Sequence, residues 1–151
     1  MNQNNLNELL SLVTEIRRMN SLVMSLKIKE YDITHEQWIV LRTIENNDFP
    51  TQKLIADLTN KGKSTLTRIL DQLEQKNLIE RQKNDEDRRS IVLTETDKGK
   101  TIVHEILPVE EEVRTKMMKG ISEEDIVQIN NAFKTILENF EEIIRGDILG
   151  R

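Results

Sequence analysis

A chain of 151 residues accommodates one domain of ordinary size, or one such domain with helical extensions. The absence of cysteine excludes disulfides, thiol redox sensing and cysteine-ligated zinc, and it fits a cytoplasmic protein. The net charge of −5 alone argues weakly against nucleic-acid binding, but residues 51–90 hold nine basic and seven acidic side chains, so a mildly basic middle lies between acidic flanks.

The N-terminal segment predicts a long amphipathic helix rather than a targeting or membrane-spanning sequence. Residues 1–5 lack the basic and apolar regions of a secretory signal, and no stretch reaches the roughly 18 apolar residues that span a bilayer. Apolar residues then recur at steps of three and four over about residues 6–29: Leu6, Leu9, Leu10, Val13, Ile16, Met19, Val23 and Leu26. A helix about 35 Å long cannot bury its own apolar stripe, so we expect it to pack against a partner.

Three shorter helices are predicted next. Thr34 and Gln37 fit a capping box at the start of the second helix, and Thr51 is the expected cap of the third. A turn over residues 60–63 contains Gly62 and Lys61 and leads to the fourth helix. One face of the fourth helix carries the apolar residues Leu66, Ile69, Leu70 and Leu73.

The texture changes after Asn77 and predicts a hairpin followed by two long helices. Strands are expected over residues 78–83 and 90–94, joined by a charged turn. Helix resumes near Thr96 and runs to about residue 118 across Pro108, with a kink. A last helix begins at Ser122, with Asp125 three residues later as its capping partner. Its apolar stripe comprises Ile126, Ile129, Phe133, Ile136, Leu137, Phe140, Ile143 and Ile144.

The third and fourth helices with their tight turn have the arrangement of a DNA-reading helix-turn-helix. The side of the fourth helix opposite its leucines offers short hydroxyls and long cations, which can reach phosphates and base edges. The helix N-terminus adds free N–H groups that favour phosphate. A solvated polar face is the alternative interpretation. The candidate DNA-binding residues here are Lys61, Lys63, Ser64, Thr65, Thr67 and Arg68.

The hairpin brings further cations together on a projecting loop. Such a loop can lie along the DNA backbone or insert an arginine into a narrow minor groove. An exposed hairpin that uses its charges for solubility and edge protection is the alternative, and acids such as Glu80 and Asp85 favour it. The candidate DNA-binding residues on the hairpin are Arg81, Lys83, Arg88 and Arg89.

The order of these elements, over almost the whole chain, resembles the MarR family of bacterial and archaeal regulators. Members typically read Ser-Thr-x-Thr-Arg in the recognition helix, Asp-Pro-Arg-Asp-Arg-Arg at the wing, and Leu-Thr-x-x-Gly after it. The matching segments here are residues 63–74, Leu78-Ile79 and Asp87-Arg88-Arg89. The combination of these segments is a strong signal for the family, whereas each segment alone is a weak one.

Three positions depart from the family pattern. Asn84 stands where the family usually has an aspartate, Glu86 where it often has the minor-groove arginine, and Glu95 where it has leucine. Phosphate repels an acid at the wing tip. The resemblance therefore leaves two possibilities, that Arg88 or Lys83 substitutes or that the wing contributes little.

The resemblance implies a mainly α fold with a small β-hairpin wing, assembled as a homodimer. Residues 31–99 would form the winged helix-turn-helix, and residues 1–30 and 100–151 a helical dimerisation region. The two long stripes agree with a dimer, because they exceed what such a small core can cover. An intrachain pairing of the two helices without dimerisation is the alternative.

Many MarR-like proteins bind small phenolic or anionic effectors between the dimerisation and DNA-binding parts, which makes Arg17, Tyr31 and Trp38 candidate effector-binding residues. Core packing is the alternative for Trp38, which lies on an apolar helical face, and Tyr31 falls in a linker. No metal or cofactor is expected, since His35 and His104 are the only histidines and lie far apart in sequence.

These observations support two functional hypotheses and argue against a third. The first is a transcriptional repressor that binds pseudo-palindromic double-stranded DNA as a homodimer and is released by a small molecule. The second is a winged-helix dimer that acts through protein contacts with weak or no DNA binding, which the acidic balance and Glu86 favour. An enzyme is not expected, because the sequence has no glycine-rich phosphate loop, nucleophile with a histidine base, or metal cluster.

Overall fold

The computed structural model describes residues 3–83 and 91–149, and it divides into one compact unit that ends at Val113 and a second that begins at Arg114. The predicted mainly α fold with one antiparallel hairpin is confirmed, and the predicted helices and strands are all present. In chain order the elements are α1 (Gln3–Lys27), a 3-10 turn (Lys29–Tyr31), α2 (His35–Glu45), α3 (Gln52–Thr59), α4 (Lys63–Gln75), β1 (Ile79–Lys83), β2 (Ile91–Glu95), α5 (Asp97–Met117) and α6 (Glu123–Leu149).

Short polar side chains set where the helices begin, as the sequence predicted. Thr34 Oγ1 accepts the Gln37 backbone N–H at 3.1 Å while Gln37 Oε1 accepts the Thr34 N–H at 3.1 Å, which completes the capping box of α2. The hydroxyl of Thr51 caps α3 in the same way. At α6, Ser122 Oγ accepts the Asp125 N–H at 3.1 Å. Each bond satisfies an N–H that the helix itself leaves open.

The hairpin is tied to the start of α3. Its two strands pair antiparallel, with Ile79 opposite Glu95 at the open end. Thr51, the cap of α3, also forms an antiparallel bridge with Val92 of β2. The backbone therefore holds the wing beside the first helix of the helix-turn-helix.

The core of the first unit lies beneath α4. Trp38 is among its largest side chains, at 1% exposure. Burial of this apolar surface provides the main force that orders the unit. The core draws on α1 to α5 and the hairpin: Met24, Ile28, Ile33, Trp38, Val40, Leu41, Ile44, Ile55, Leu66, Ile69, Leu70, Leu73, Leu78, Ile79, Leu93, Val103 and Ile106.

The junction between β2 and α5 requires glycine at position 99. A Cβ on Gly99 would lie 2.1 Å from the carbonyl oxygen of Leu78, far inside van der Waals contact. Thr96 secures the same junction, because its hydroxyl donates to Asn77 O at 2.6 Å and accepts the Gly99 N–H at 3.0 Å. The Thr-x-x-Gly motif at residues 96–99 therefore has a packing role.

The second unit consists of the end of α5, a turn and α6. Among the side chains described in α6 none is buried. Ile126, Phe133 and Ile136 are partly buried, whereas the other large apolar residues of its stripe are exposed. Within the described ranges, none of the helices has the length and apolar character needed to cross a membrane.

Candidate nucleic-acid interface

The two sides of α4 differ as the sequence predicted. Its apolar face is anchored in the core, whereas Lys63, Ser64, Thr65 and Arg68 are exposed on the first two turns. An open groove of about 700 Å³ follows this exposed side, lined by Lys63, Ser64, Thr67, Arg68 and Asp71. The helix thus presents hydroxyls and cations outward from a rigid support.

The N-terminus of α4 is open toward solvent. Gly62 holds the cap position with extended backbone, and glycine has no side chain with which to satisfy the N–H groups of the first turn. These groups form the positive end of the helix dipole and favour an anion such as phosphate. Lys63 and Ser64 stand at this end, so backbone and side-chain donors face the same space.

The opposite end of α4 is anchored by a polar network. Buried Gln37 donates through Nε2 to Gln72 Oε1 at 3.0 Å. Lys76, which follows α4, donates to Gln37 Oε1 at 3.2 Å and to the backbone oxygen of Asp32. These bonds join α4 to the capping box of α2 and to the linker before it, so they fix the direction in which the helix points.

Two of the predicted DNA-binding cations are held inside the protein's own ion pairs. Lys61 pairs with Glu36, and its side chain is only 11% exposed. Arg81 pairs with Asp71 at 2.7 Å and with Glu74 at 2.5 Å. Partial burial lowers the pKa of Arg81, but these two partners outweigh burial and raise it. Both residues attract phosphate less than their charges suggest, because an acid already neutralises each.

The wing is described only in part. Lys83 is exposed at the end of β1. The predicted contacts of Arg88 and Arg89, and the departures at Asn84 and Glu86, lie outside the described residues. Their roles on DNA therefore stay predictions.

The three candidate effector-binding residues lie in different surroundings. Arg17 lines an open groove of about 740 Å³ between α1 and α2. Tyr31 is partly buried against the core in the 3-10 turn, and Trp38 lies within the core itself. Neither aromatic residue lines the groove beside Arg17. Trp38 offers a ligand almost no surface, which agrees with core packing.

His35 also lines this groove, at the first position of α2. It is 8% exposed, and its Nδ1 has no hydrogen-bond partner among the described residues. Burial lowers the pKa of His35; Glu36 and Glu110 oppose this shift, and Lys61 adds to it. The imidazole is therefore held neutral near pH 7. Within the described ranges, no group of three or more metal-ligating side chains surrounds either histidine.

Sequence reasoning missed Gln52, the first residue of α3. Its amide Nε2 donates to Thr67 Oγ1 of α4 at 2.8 Å. A glutamine after a helix cap is unremarkable in a sequence, and nothing local points to a partner fifteen positions away. The only available clue was its place at the start of the helix preceding the candidate recognition helix.

Comparison with known proteins agrees with this geometry. Residues 33–91 match the model of the MarR family. The HTH-type transcriptional regulator SarZ of Staphylococcus aureus is 30% identical over 115 residues, 76% of each chain. A Listeria innocua protein of unknown function is 34% identical, with a TM-score of 0.69 over 91% of this chain and 96% of that one. The S. aureus MepR–DNA complex is 24% identical, with a TM-score of 0.79 over 85% of this chain and 94% of MepR.

Proposed function

This chain belongs to the MarR family, and from that premise we propose that it is a sequence-specific DNA-binding transcriptional regulator. It binds a pseudo-palindromic operator as a homodimer, represses the gene it covers, and is released by a small molecule. This role requires access to chromosomal DNA and hence a cytoplasmic location. Its activity is binding rather than catalysis.

The exposed N-terminal half of α4 carries the proposal. Lys63, Ser64, Thr65 and Arg68 stand on a helix whose opposite face is buried and whose far end is anchored by Gln37. Rigid presentation of arginine and hydroxyl groups on a helix is what major-groove reading requires. The likeness to MepR, solved as a DNA complex, supports the same role.

Two apolar stripes support the homodimer. In the first unit, α1 leaves Leu12, Ile16 and Leu26 exposed. In the second unit, Leu137 is 61% exposed and Phe140 is 53% exposed. A row of exposed apolar side chains along a helix is typical of an interaction surface. A second copy of the chain is the proposed cover, because a two-fold dimer places two recognition helices one turn of DNA apart.

Effector release follows from linkage. A ligand that prefers a dimer with its recognition helices splayed apart lowers the affinity of the dimer for DNA. DNA lowers the affinity of the dimer for that ligand by the same factor. The groove beside Arg17 is the proposed location for an anionic ligand, since the cationic side chain of Arg17 lines it. The expected observation is that such a compound weakens operator binding without dissociating the dimer.

Selection of bound sites from random duplex DNA tests the central proposal. We expect a two-fold symmetric motif, whose affinity falls steeply between about 50 and 200 mM salt as counterions are released. Absence of any enriched motif, together with weak and salt-insensitive binding, would instead support action through protein contacts.

A further inference from the structure

One side-chain hydrogen bond joins the two helices of the helix-turn-helix directly. Gln52 Nε2 of α3 donates to Thr67 Oγ1 of α4 at 2.8 Å, and Thr67 Oγ1 donates to Lys63 O at 2.8 Å. Both side chains are half-buried. The hydroxyl of Thr67 is thus held between two partners.

This arrangement changes what Thr67 can do. A hydroxyl has one donor, and that of Thr67 is already used by the carbonyl of Lys63. Phosphate oxygens only accept hydrogen bonds, so the Thr67 hydroxyl has no donor left for a phosphate. Its methyl group remains free for an apolar contact.

Gln52, in contrast, still has an N–H donor to offer. An amide carries two N–H donors, and only one hydrogen bond from Gln52 Nε2 is formed within the described residues. Gln52 lines an open groove of about 600 Å³ with Lys53 and Lys63, and Lys63 also lines the groove along α4. The Gln52–Thr67 pair therefore stands where these two cation-lined grooves adjoin.

We propose that Gln52 is a positioning residue for DNA binding. One N–H of its amide holds α4 against α3 through Thr67, and the other donates to a backbone phosphate of the duplex. Contacts to phosphate set the register of a protein on DNA, whereas contacts to bases set its sequence preference. Gln52 would thus fix the recognition helix within the protein and on the DNA. The proposal rests on the DNA-binding function proposed above.

Three single variants test the two bonds, and a fourth is their control. Gln52→Ala removes both, and Thr67→Val removes the internal bond while keeping the branched shape. Gln52→Glu keeps the length but replaces the donor with a carboxylate that phosphate repels. Gln75→Ala is the matched control, because it truncates an exposed glutamine at the end of α4.

Anisotropy titrations with the selected operator and a scrambled duplex, at two salt concentrations, provide the measurement. We expect Gln52→Ala to weaken operator binding roughly tenfold or more, as loss of a hydrogen bond to a charged group does. Gln52→Glu should weaken it further, with a loss that shrinks at high salt because screening reduces the repulsion. Thr67→Val should reduce the preference for operator over scrambled DNA, and the double variant Gln52→Ala/Thr67→Val should lose little more affinity than Gln52→Ala alone. Gln75→Ala should bind as wild type.

Melting temperatures recorded in parallel distinguish positioning from simple stabilisation. Wild-type affinity in Gln52→Ala, or equal losses in Gln52→Ala and Gln52→Glu at both salt concentrations, would overturn the proposal. So would losses of affinity that merely follow losses of melting temperature. If the wild type itself shows no preference between the two duplexes, the proposed function fails, and the role of Gln52 falls with it.

Discussion

Arg68 and Arg81 distinguish contact with DNA from stabilisation of the fold. The same substitution should lower DNA affinity at Arg68 and stability at Arg81. Arg68 is exposed on α4 and makes no ion pair or side-chain hydrogen bond with other described residues. Arg81 is bonded to Asp71 and Glu74. Alanine at Arg68 should therefore remove contacts to DNA, whereas alanine at Arg81 should remove contacts within the protein.

The magnitudes follow from the number and exposure of these contacts. Loss of a base-reading arginine costs about 1–3 kcal/mol, so two copies in a dimer cost about 2–6 kcal/mol, or at least roughly thirtyfold in affinity. Two partly exposed ion pairs stabilise a fold by about 1 kcal/mol together. Arg81→Ala should thus lower the melting temperature by a few degrees.

Operator affinity, melting temperature and oligomeric state are measured for each variant. Lys134→Ala on α6 is the control for loss of one exposed positive charge. Arg68→Ala should bind weakly and melt as wild type, and Arg81→Ala should show the reverse pattern. Equal losses of affinity at Arg68 and Arg81, with both proteins folded, would refute this division of roles.

Three further predictions concern the fold, its pH dependence and the dimer. Gly99→Ala should destabilise the first unit by about 1–3 kcal/mol, because its Cβ collides with a backbone oxygen, whereas Gly146→Ala, with open space around it, should melt at or above the wild-type temperature. Burial lowers the pKa of His35, so the unfolded chain takes up a proton first. The stability that neutral His35 provides should therefore be complete above about pH 6.5 and fall as the pH drops toward the folded-state pKa. Melting curves from pH 8 to 5 should show this loss in wild type and in a variant with glutamine at exposed His104, and less of it in His35→Gln. Leu137→Asp places a charge on the exposed α6 stripe and should abolish dimerisation and operator binding together; light scattering that finds a monomer still bound to palindromic DNA would contradict the architecture.

Local patterns were sufficient to predict most of the fold. The capping box at Thr34, the cap at Thr51 and the buried face of α4 each depend on residues within one or two helical turns. At this range, spacing alone determines which side chains can meet. The exposed polar face of α4 followed from the same periodicity.

Side-chain partners distant in sequence could not be predicted. Lys61 meets Glu36 across 25 positions, and Lys76 meets Asp32 across 44. Both pairings exist because α2 and α4 pack together, which only the folded chain reveals. The sequence pattern identified Lys61 as a cation near the start of α4, but it gave no sign that Lys61 forms an ion pair with an acidic residue.

Internal ion pairs reduce the number of basic residues that can attract DNA. Within the described ranges, the cations of residues 51–90 that have internal partners are Lys61, Lys76 and Arg81. Four exposed cations have no such partner among the residues that the structure describes: Lys53, Lys63, Arg68 and Lys83. The negative net charge thus matters less than which cations are already neutralised.

The number of cations without internal partners predicts how steeply operator affinity should depend on salt. Arg68 is expected to read a base, so Lys53, Lys63 and Lys83 give six phosphate contacts per dimer, or ten if Arg88 and Arg89 also reach phosphate. With about 0.9 counterions released per neutralised phosphate, the slope of log affinity against log salt should lie between about −5 and −9. If all eight cations of residues 51–90 other than Arg68 contacted phosphate, the slope would be about −14. A slope steeper than about −9 would mean that Lys61 and Arg81 exchange their acidic partners for phosphate, and the internal ion pairs would then belong to the free protein only.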